Sequence, residues 1–314
     1  MDWIAELTAS IKQRYPDAKL RTGVPLAGYT SFHIGGPAAL MALPRTLGEL
    51  AELRRLAAAN RVPTIILGAG TNVLAPDDGV DALVICTRET LTEIRAVDET
   101  HLAAQCGAPL AKVAVMAQQM GLSGLEFAHG IPGTVGGGIL MNAGAYGGEM
   151  RDVAVSTCVL CADGTVQTLE GEEQEFGYRS SVFQRMDAVI LETVFALTPA
   201  DPAQIRTKMQ LLREKRAASQ PLEYPSAGST FKRPQTGFAA ALIDQAGLKG
   251  FTVGGAQVSE KHAGFVINRG GATARDVLEL MRQVEARVFA ASGVRLEPEV
   301  QILRIQKEEG PCNF

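Results

Sequence analysis

Gly130-Ile131-Pro132-Gly133-Thr134-Val135-Gly136-Gly137-Gly138, followed after Ile139-Leu140 by Met141-Asn142-Ala143-Gly144-Ala145-Tyr146-Gly147, is the stretch on which the fold turns. Glycine lets backbone come close to a ligand and tolerates conformations closed to other residues. The interleaved Ile131, Ile139 and Met141, with Leu125 and Phe127 upstream, supply apolar anchors. The segment therefore reads as an ordered loop system, not a linker. It lacks the Gly-Lys-Ser/Thr ending of a phosphate-binding P-loop, so ATP or GTP hydrolysis has no support.

A second glycine turn lies upstream, at Gly68-Ala69-Gly70-Thr71-Asn72-Val73-Leu74. It follows a strand-like run, as a dinucleotide fingerprint does. Val73 stands where that fingerprint needs its third glycine, and the chain runs on into Pro76-Asp77-Asp78-Gly79 and another strand instead of a helix, which argues against a Rossmann unit. What remains is a nest of backbone amides able to hold a pyrophosphate. Two such nests in one domain suit a long ligand with a pyrophosphate in its middle, such as FAD.

Around these loops the pattern predicts mixed helices and strands. Trp3, Ile4, Leu7 and Ile11 mark an N-terminal amphipathic helix. Thr46 and Glu49 form a capping box for a helix with Leu50, Leu53 and Ala57 on one face, ending near Asn60. A buried strand is expected at residues 63–67 and another at 82–86. Pro109 opens a helix with the stripe Leu110, Val113, Ala114, Ala117 and Met120, closed by Gly121. Asp163-Gly164 joins strands at 153–160 and 165–169, and residues 189–197 form a further strand. Asp201-Pro202 caps a helix carrying Ile205, Met209 and Leu212. A texture change near residue 200 suggests domains of 1–200, with subdomains of about 1–80 and 81–200, and 201–314. The second part holds a Pro/Ser/Gly loop at 220–234, a short helix ending at Gly247, a strand at 264–267, a long helix opened by Thr273 and Asp276 and stopped by Gly293, and a last strand at 294–303. No repeat of fixed period is present.

The chain has 314 residues, 46% hydrophobic, with a net charge of −4. Scattered basic residues argue against nucleic-acid or membrane-surface binding. Acids near the N-terminus and the lack of a run of about 20 apolar residues predict a soluble, cytoplasmic protein. Five cysteines, Cys86, Cys106, Cys158, Cys161 and Cys312, fit a reducing compartment. Cys158 and Cys161 lie in a strand-like run without a second pair, so they read as two buried thiols and no metal site is expected.

Several motifs occur together in one order: residues 30–37 (Thr-Ser-Phe-His-Ile-Gly-Gly-Pro), the turn at 68–72, the block from Ile131, Tyr178-Arg179-Ser180-Ser181, residues 226–234 (Ser-Ala-Gly-Ser-Thr-Phe-Lys-Arg-Pro), and Leu296-Glu297-Pro298-Glu299-Val300. Over about residues 30–303 the chain resembles the UDP-N-acetylenolpyruvoylglucosamine reductase family, in its shorter type. The resemblance implies an α+β fold: a two-subdomain FAD-binding domain of the vanillyl-alcohol-oxidase type and a C-terminal α+β substrate domain. It implies non-covalent FAD, NADPH as reductant, a small UDP-sugar enolpyruvyl ether as substrate, and a monomer.

The resemblance also assigns roles. Arg179, Ser229 and Glu299 match the catalytic set: a cation where charge develops on the substrate carboxylate, a proton donor, and a group that stabilises the enol intermediate. Cofactor contacts fall on His33, Gly68, Ala69, Gly70, Thr71, Asn72, Val73, Leu74, Gly130, Ile131, Pro132, Gly133, Thr134, Gly136, Gly137, Asn142, Ala143, Gly144 and Ala145. His33 is expected to hydrogen-bond or pack, not to anchor flavin covalently. Substrate contacts fall on Tyr178, Gly228, Lys232, Arg233 and His262, with Lys232 placed to make Ser229 a better acid and Arg233 reading as a contact to the diphosphate. Taken singly, a surface arginine, a turn serine and a solvent-facing glutamate are plainer readings of the catalytic three. Two rival functions are another flavin oxidase or dehydrogenase of the same scaffold, which needs a base where Ser229 stands, and a non-catalytic flavin-binding module.

Overall fold

A computed structural model describes residues 3–304; Cys312 and the tail from Lys307 lie outside them. The first lobe opens with α1 (Trp3–Arg14), which buries Leu7 and Ile11. Strands β1 (Lys19–Pro25) and β2 (Pro37–Leu43) follow, then α2 (Leu47–Ala59), β3 (Thr64–Leu67), β4 (Val73–Leu74) and β5 (Val80–Cys86). The sheet order is β1-β2-β5-β3, with β2, β5 and β3 parallel and β1 antiparallel at the edge. Central strands of such a sheet are covered on both faces and so read as continuous apolar runs. Leu40, Ala42, Leu83 and Ile85 face one core and Met41, Leu43, Ala82 and Val84 another. At α2 the Thr46 hydroxyl accepts from the Glu49 amide as the capping pattern requires, while the Glu49 carboxylate turns back to the Arg45 amide.

The second lobe contains β6 (Ile94–Ala96), β7 (His101–Gln105), α3 (Leu110–Gln119), β8 (Leu122–Ser123), α4 (Val135–Leu140), β9 (Gly144–Ala145), β10 (Gly148–Glu149), β11 (Ala154–Cys161), β12 (Val166–Glu170), β13 (Ala188–Ala196), β14 (Thr198–Pro199) and α5 (Pro202–Ser219). Its antiparallel sheet runs β12-β11-β13-β7-β6. Gly164, at φ +86°, makes the β11–β12 turn that Asp163-Gly164 predicts. The third part holds α6 (Ala239–Gln245), a small antiparallel sheet of β15 (Thr252–Val253), β16 (Ala256–Val258) and β17 (Val266–Asn268), the long α7 (Ala274–Ser292) and β18 (Gln301–Ile302). A reciprocal Thr273–Asp276 capping box starts α7 and Gly293, left-handed at φ +71°, ends it.

Several expectations change. The strand at 63–67 is only partly buried: Leu67 is buried, but Ile66 is exposed because that side of β3 lines a cleft. Met120 is exposed beyond the last turn of α3, and Pro109 is the cap residue, not the first helical one. Cys158 and Cys161 are half-buried. Residues 294–303 form strand only at β18, which pairs in parallel with β4 of the first lobe; upstream of it the segment makes a single antiparallel bridge, Pro298 to Phe231. The division at residue 200 separates α5 from the core on which it packs: Ile205 and Met209 join Val113 and Phe195 there, and Gln118 Nε2 donates to the Pro202 carbonyl at 3.1 Å. The subdomain limit at residue 80 cuts the first sheet before β5.

The third part docks on the first through the 30–37 motif. Phe32, Ile34 and Leu74 enter its core beside Val266 and Leu280. Ser31 Oγ donates to the Ser226 carbonyl at 2.6 Å, and Asn268 Nδ2 to the Phe32 carbonyl at 3.0 Å. Asp77 accepts from the amides of Ala274 and Arg275 at 2.7 and 3.1 Å, so a carboxylate of the first lobe caps the N-terminus of α7. Among the described residues no helix is long and apolar enough to cross a membrane.

Candidate active site

Two cavities meet where the lobes meet the third part. One, of about 500 Å³, runs from the 68–73 turn past the 131–134 loop; the other, of about 750 Å³, opens outward beyond it. Gly144, Ala145, Tyr146, Arg179, Ser229, His262 and Glu299 line both and mark the junction.

Arg179 sits in a two-residue turn between Gly177 and Ser180, whose backbones bond each other at 3.0 and 3.3 Å. Its φ of +53° is left-handed, a strained state for a side-chain-bearing residue that persists only when its surroundings hold it. They do so here: buried Asn142, itself at φ +42°, donates Nδ2 to the Gly177 carbonyl at 2.8 Å, and Gln184 Nε2 donates to the Arg179 carbonyl at 3.1 Å. The guanidinium then reaches Glu299 Oε1 from Nε at 2.6 Å and the Gly144 carbonyl from Nη2 at 3.3 Å.

Glu299 and Ser229 come from adjacent extended segments. The Glu299 amide donates to the Thr230 carbonyl at 2.8 Å and the Lys232 amide to the Glu297 carbonyl at 2.8 Å, a ladder that holds the two segments side by side, and Ser229 and Glu299 line the same two cavities. Asn72 Nδ2 donates to the Glu299 carbonyl at 3.2 Å, tying that ladder to the glycine turn. Burial pushes the Glu299 carboxyl above its ordinary pKa, outweighing the opposing pull of Arg179 and Lys232. His262 is held by burial below its usual value, and its Nδ1 accepts from the Gly264 amide at 3.2 Å, which leaves the proton on Nε2.

Of the expected cofactor residues, Gly68, Ala69, Gly70, Thr71, Asn72, Val73, Ile131, Pro132, Gly133, Thr134, Gly137, Ala143, Gly144 and Ala145 line the smaller cavity. Five do not. Exposed His33 follows the docking residue Phe32 in a left-handed turn, Leu74 is in the third core, Gly130 backs onto Arg216, Gly136 backs onto Cys106, and Asn142 is the buried pin of the Arg179 turn. Of the expected substrate residues, Tyr178, Arg233 and His262 line the larger cavity and Gly228 the smaller. Lys232 lines neither, its Nζ lying 3.5 Å from the Glu297 carboxylate. Tyr146, Arg216, Gln220, Phe238 and Gln301 line the cavities without having stood out in the sequence.

The smaller cavity suits FAD on two observations. A Cβ on Gly68 would fall 2.4 Å from Thr134 Oγ1, so the 68–73 turn approaches the 131–134 loop this closely only because residue 68 is glycine. Arg216 lines this cavity with Nη1 buried and unpartnered, a cation awaiting an anionic ligand. Burial holds its pKa below the usual arginine value, yet a guanidinium stays charged.

Residues 220–303 match the model of the UDP-N-acetylenolpyruvoylglucosamine reductase C-terminal domain, and residues 38–170 match an FAD binding domain. UDP-N-acetylenolpyruvoylglucosamine reductase of Agathobacter rectalis is 45% identical over 94% of this chain and 97% of its own. The chain belongs to this reductase family. That of Latilactobacillus sakei is 45% identical over 92% of the chain and 95% of its own length. The crystal structure of UDP-N-acetylenolpyruvylglucosamine reductase from Thermus caldophilus superimposes with a TM-score of 0.78 at 35% identity, covering 91% of this chain and all of that one. The fold is accordingly α+β, an FAD-binding domain of the vanillyl-alcohol-oxidase type followed by the family's C-terminal domain.

If Arg216 supplies the charge that this cavity leaves unmet, Arg216→Met is expected to weaken FAD binding by about tenfold or more, the scale of one lost charge-assisted hydrogen bond. Equilibrium dialysis of apoprotein against FAD checks this, and unchanged affinity contradicts it.

Proposed function

We propose that the protein is an FAD-containing, NADPH-dependent reductase that converts UDP-N-acetylglucosamine enolpyruvate to UDP-N-acetylmuramate, a step of peptidoglycan precursor synthesis, as a monomer in the cytoplasm. The observation that carries this reading is the convergence of Arg179, Ser229 and Glu299 at the junction of the two cavities. We place the division between the FAD-binding and substrate domains near residue 220, after α5.

The 68–73 turn, the 131–134 loop and Arg216 would hold FAD, which, once reduced by NADPH, supplies the hydride that adds to the terminal carbon of the enolpyruvyl group. As that bond forms, the electron pair of the double bond moves toward the carboxylate, and Arg179 meets the charge where it develops. Its left-handed turn is fixed in advance, so little reorganisation is left for the reaction.

The substrate carboxylate and Glu299 then share one guanidinium. A second negative charge beside Glu299 raises a pKa that burial has already raised, so Glu299 takes up a proton and becomes a hydrogen-bond donor to the enolic oxygen. Ser229 Oγ delivers the proton to the α-carbon, completing the saturated lactyl ether. Neutral His262 leaves the carboxylate's pairing with Arg179 undisturbed.

Purified protein is expected to be yellow, to bleach with NADPH under anaerobic conditions and to regain its colour on addition of UDP-N-acetylglucosamine enolpyruvate. In Ser229→Ala the bleaching survives while the return slows by about 10²- to 10⁴-fold, the usual share of a general acid. Equal slowing of both half-reactions would make Ser229 structural, and a wild-type flavin that never returns would favour the oxidase reading.

The rate of that return carries a pH signature. Because the Glu299 pKa is raised, its protonated form persists above the ordinary carboxylate range and is lost as pH rises through the raised value. The wild-type rate is expected to fall on that alkaline side, and Glu299→Gln, which keeps a donor without titrating, to lose this limb. A limb that survives in Glu299→Gln assigns the titration elsewhere.

A further inference from the structure

Phe238 is 57% exposed, the most exposed of the described phenylalanines, and it lines the larger cavity alone, away from the residues that mark the junction. One face of its ring is covered: the guanidinium carbon of Arg233 lies 4.2 Å from the ring centroid. Arg233 is held in turn through its backbone amide, which donates to the Tyr178 hydroxyl at 3.0 Å. With one face covered and more than half the side chain in solvent, the other face of the ring is open to the cavity. An aromatic ring fixed in this way and left uncovered is a stacking surface without an occupant.

We propose that Phe238 is the platform on which the pyrimidine ring of the substrate's nucleoside diphosphate stacks. This inference rests on the reductase reading. If the enolpyruvyl group lies at Arg179 and Glu299, the rest of the substrate extends outward through the larger cavity, sugar first, diphosphate next and base last. Tyr178, Arg233 and Phe238 line that outer portion. A guanidinium held over an aromatic face still has N–H donors to offer phosphate oxygens. Arg233 thus serves the diphosphate while its place is steadied by Phe238, and the far side of Phe238 takes the base.

The test titrates FAD-loaded wild type, Phe238→Ala, Phe238→Leu and Phe238→Trp with UDP and, separately, with inorganic pyrophosphate. Flavin content and melting temperature check that each variant is folded. Phe238→Ala is expected to weaken UDP by about tenfold or more, the usual effect of removing one base-stacking ring. Phe238→Leu should lose most of that amount, Phe238→Trp should stay within about twofold of wild type because a flat aromatic ring is kept, and pyrophosphate should bind all four alike.

Unchanged UDP affinity in folded Phe238→Ala overturns the proposal. So does full recovery in Phe238→Leu, which would mean apolar filling without stacking, or an equal loss of pyrophosphate, which would mean that only the pose of Arg233 is disturbed. If FAD-loaded wild type neither binds UDP nor is reoxidised by the enolpyruvyl substrate, the reductase reading falls along with the platform. Reoxidation that proceeds while Phe238→Ala retains UDP removes the platform alone.

Discussion

A guanidinium from one half of the chain and a carboxylate from the other meet at 2.6 Å in a half-buried cleft, and the arrangement of the site follows from holding that pair. Arg179 reaches it from a left-handed turn that arginine does not favour, so Asn142 and Gln184 clamp the turn from behind. Glu299 reaches it from an extended segment whose Glu299 amide donates to the Thr230 carbonyl, while Asn72 of the glycine turn donates to the Glu299 carbonyl. Local turn bonds shape Arg179's backbone, but its partner Glu299 lies 120 residues away in the chain. The pair therefore requires that the third part dock in one orientation, which the Asp77 cap on α7 and the Ser31–Ser226 contact provide.

The two cavities divide the work by the kind of group each offers. The smaller is walled largely by backbone and glycine, suited to a long cofactor recognised by amide donors, with one half-buried cation, Arg216, whose Nη1 is enclosed. The larger is walled by side chains that carry charge and aromatic surface, namely Arg179, Arg233, Tyr178 and Phe238. Glu299 stands between them with a pKa raised by burial and held back by Arg179, and this balance lets one carboxyl respond to the arrival of another.

Where local chemistry dictates local structure, the sequence was legible. The Thr273–Asp276 box, the Gly293 stop, the Asp163-Gly164 hairpin and the Thr46 cap each specify backbone within a few residues, and each forms. The motif string likewise brought Arg179, Ser229 and Glu299 to one place. Within a motif, sequence alone does not distinguish residues that line the cavity from those that support it. Residues 30–37 serve docking, so Phe32 goes inward while His33 stays outside. Asn142 and Gly136 belong to the glycine block yet support it from behind: Asn142 is buried and Gly136 faces Cys106, whereas Gly137 and Ala143 line the cavity. Arg216 gives no sequence signal of its place, because an apolar stripe at Ile205 and Met209 does not show that an arginine further along turns its guanidinium into the cavity. The change of texture near residue 200 precedes the change of core, since Ile205 and Met209 still pack with the second lobe.

The interaction between Arg179 and Glu299 is tested most directly by a double-mutant cycle on the rate at which enolpyruvyl substrate reoxidises the reduced flavin, using Arg179→Gln, Glu299→Ala and the pair together. If the two act as one unit, the double variant is expected to be little slower than the worse single one, a coupling of about 1–3 kcal/mol. Losses that simply multiply would mean that the guanidinium and the carboxyl act independently, and would contradict the account.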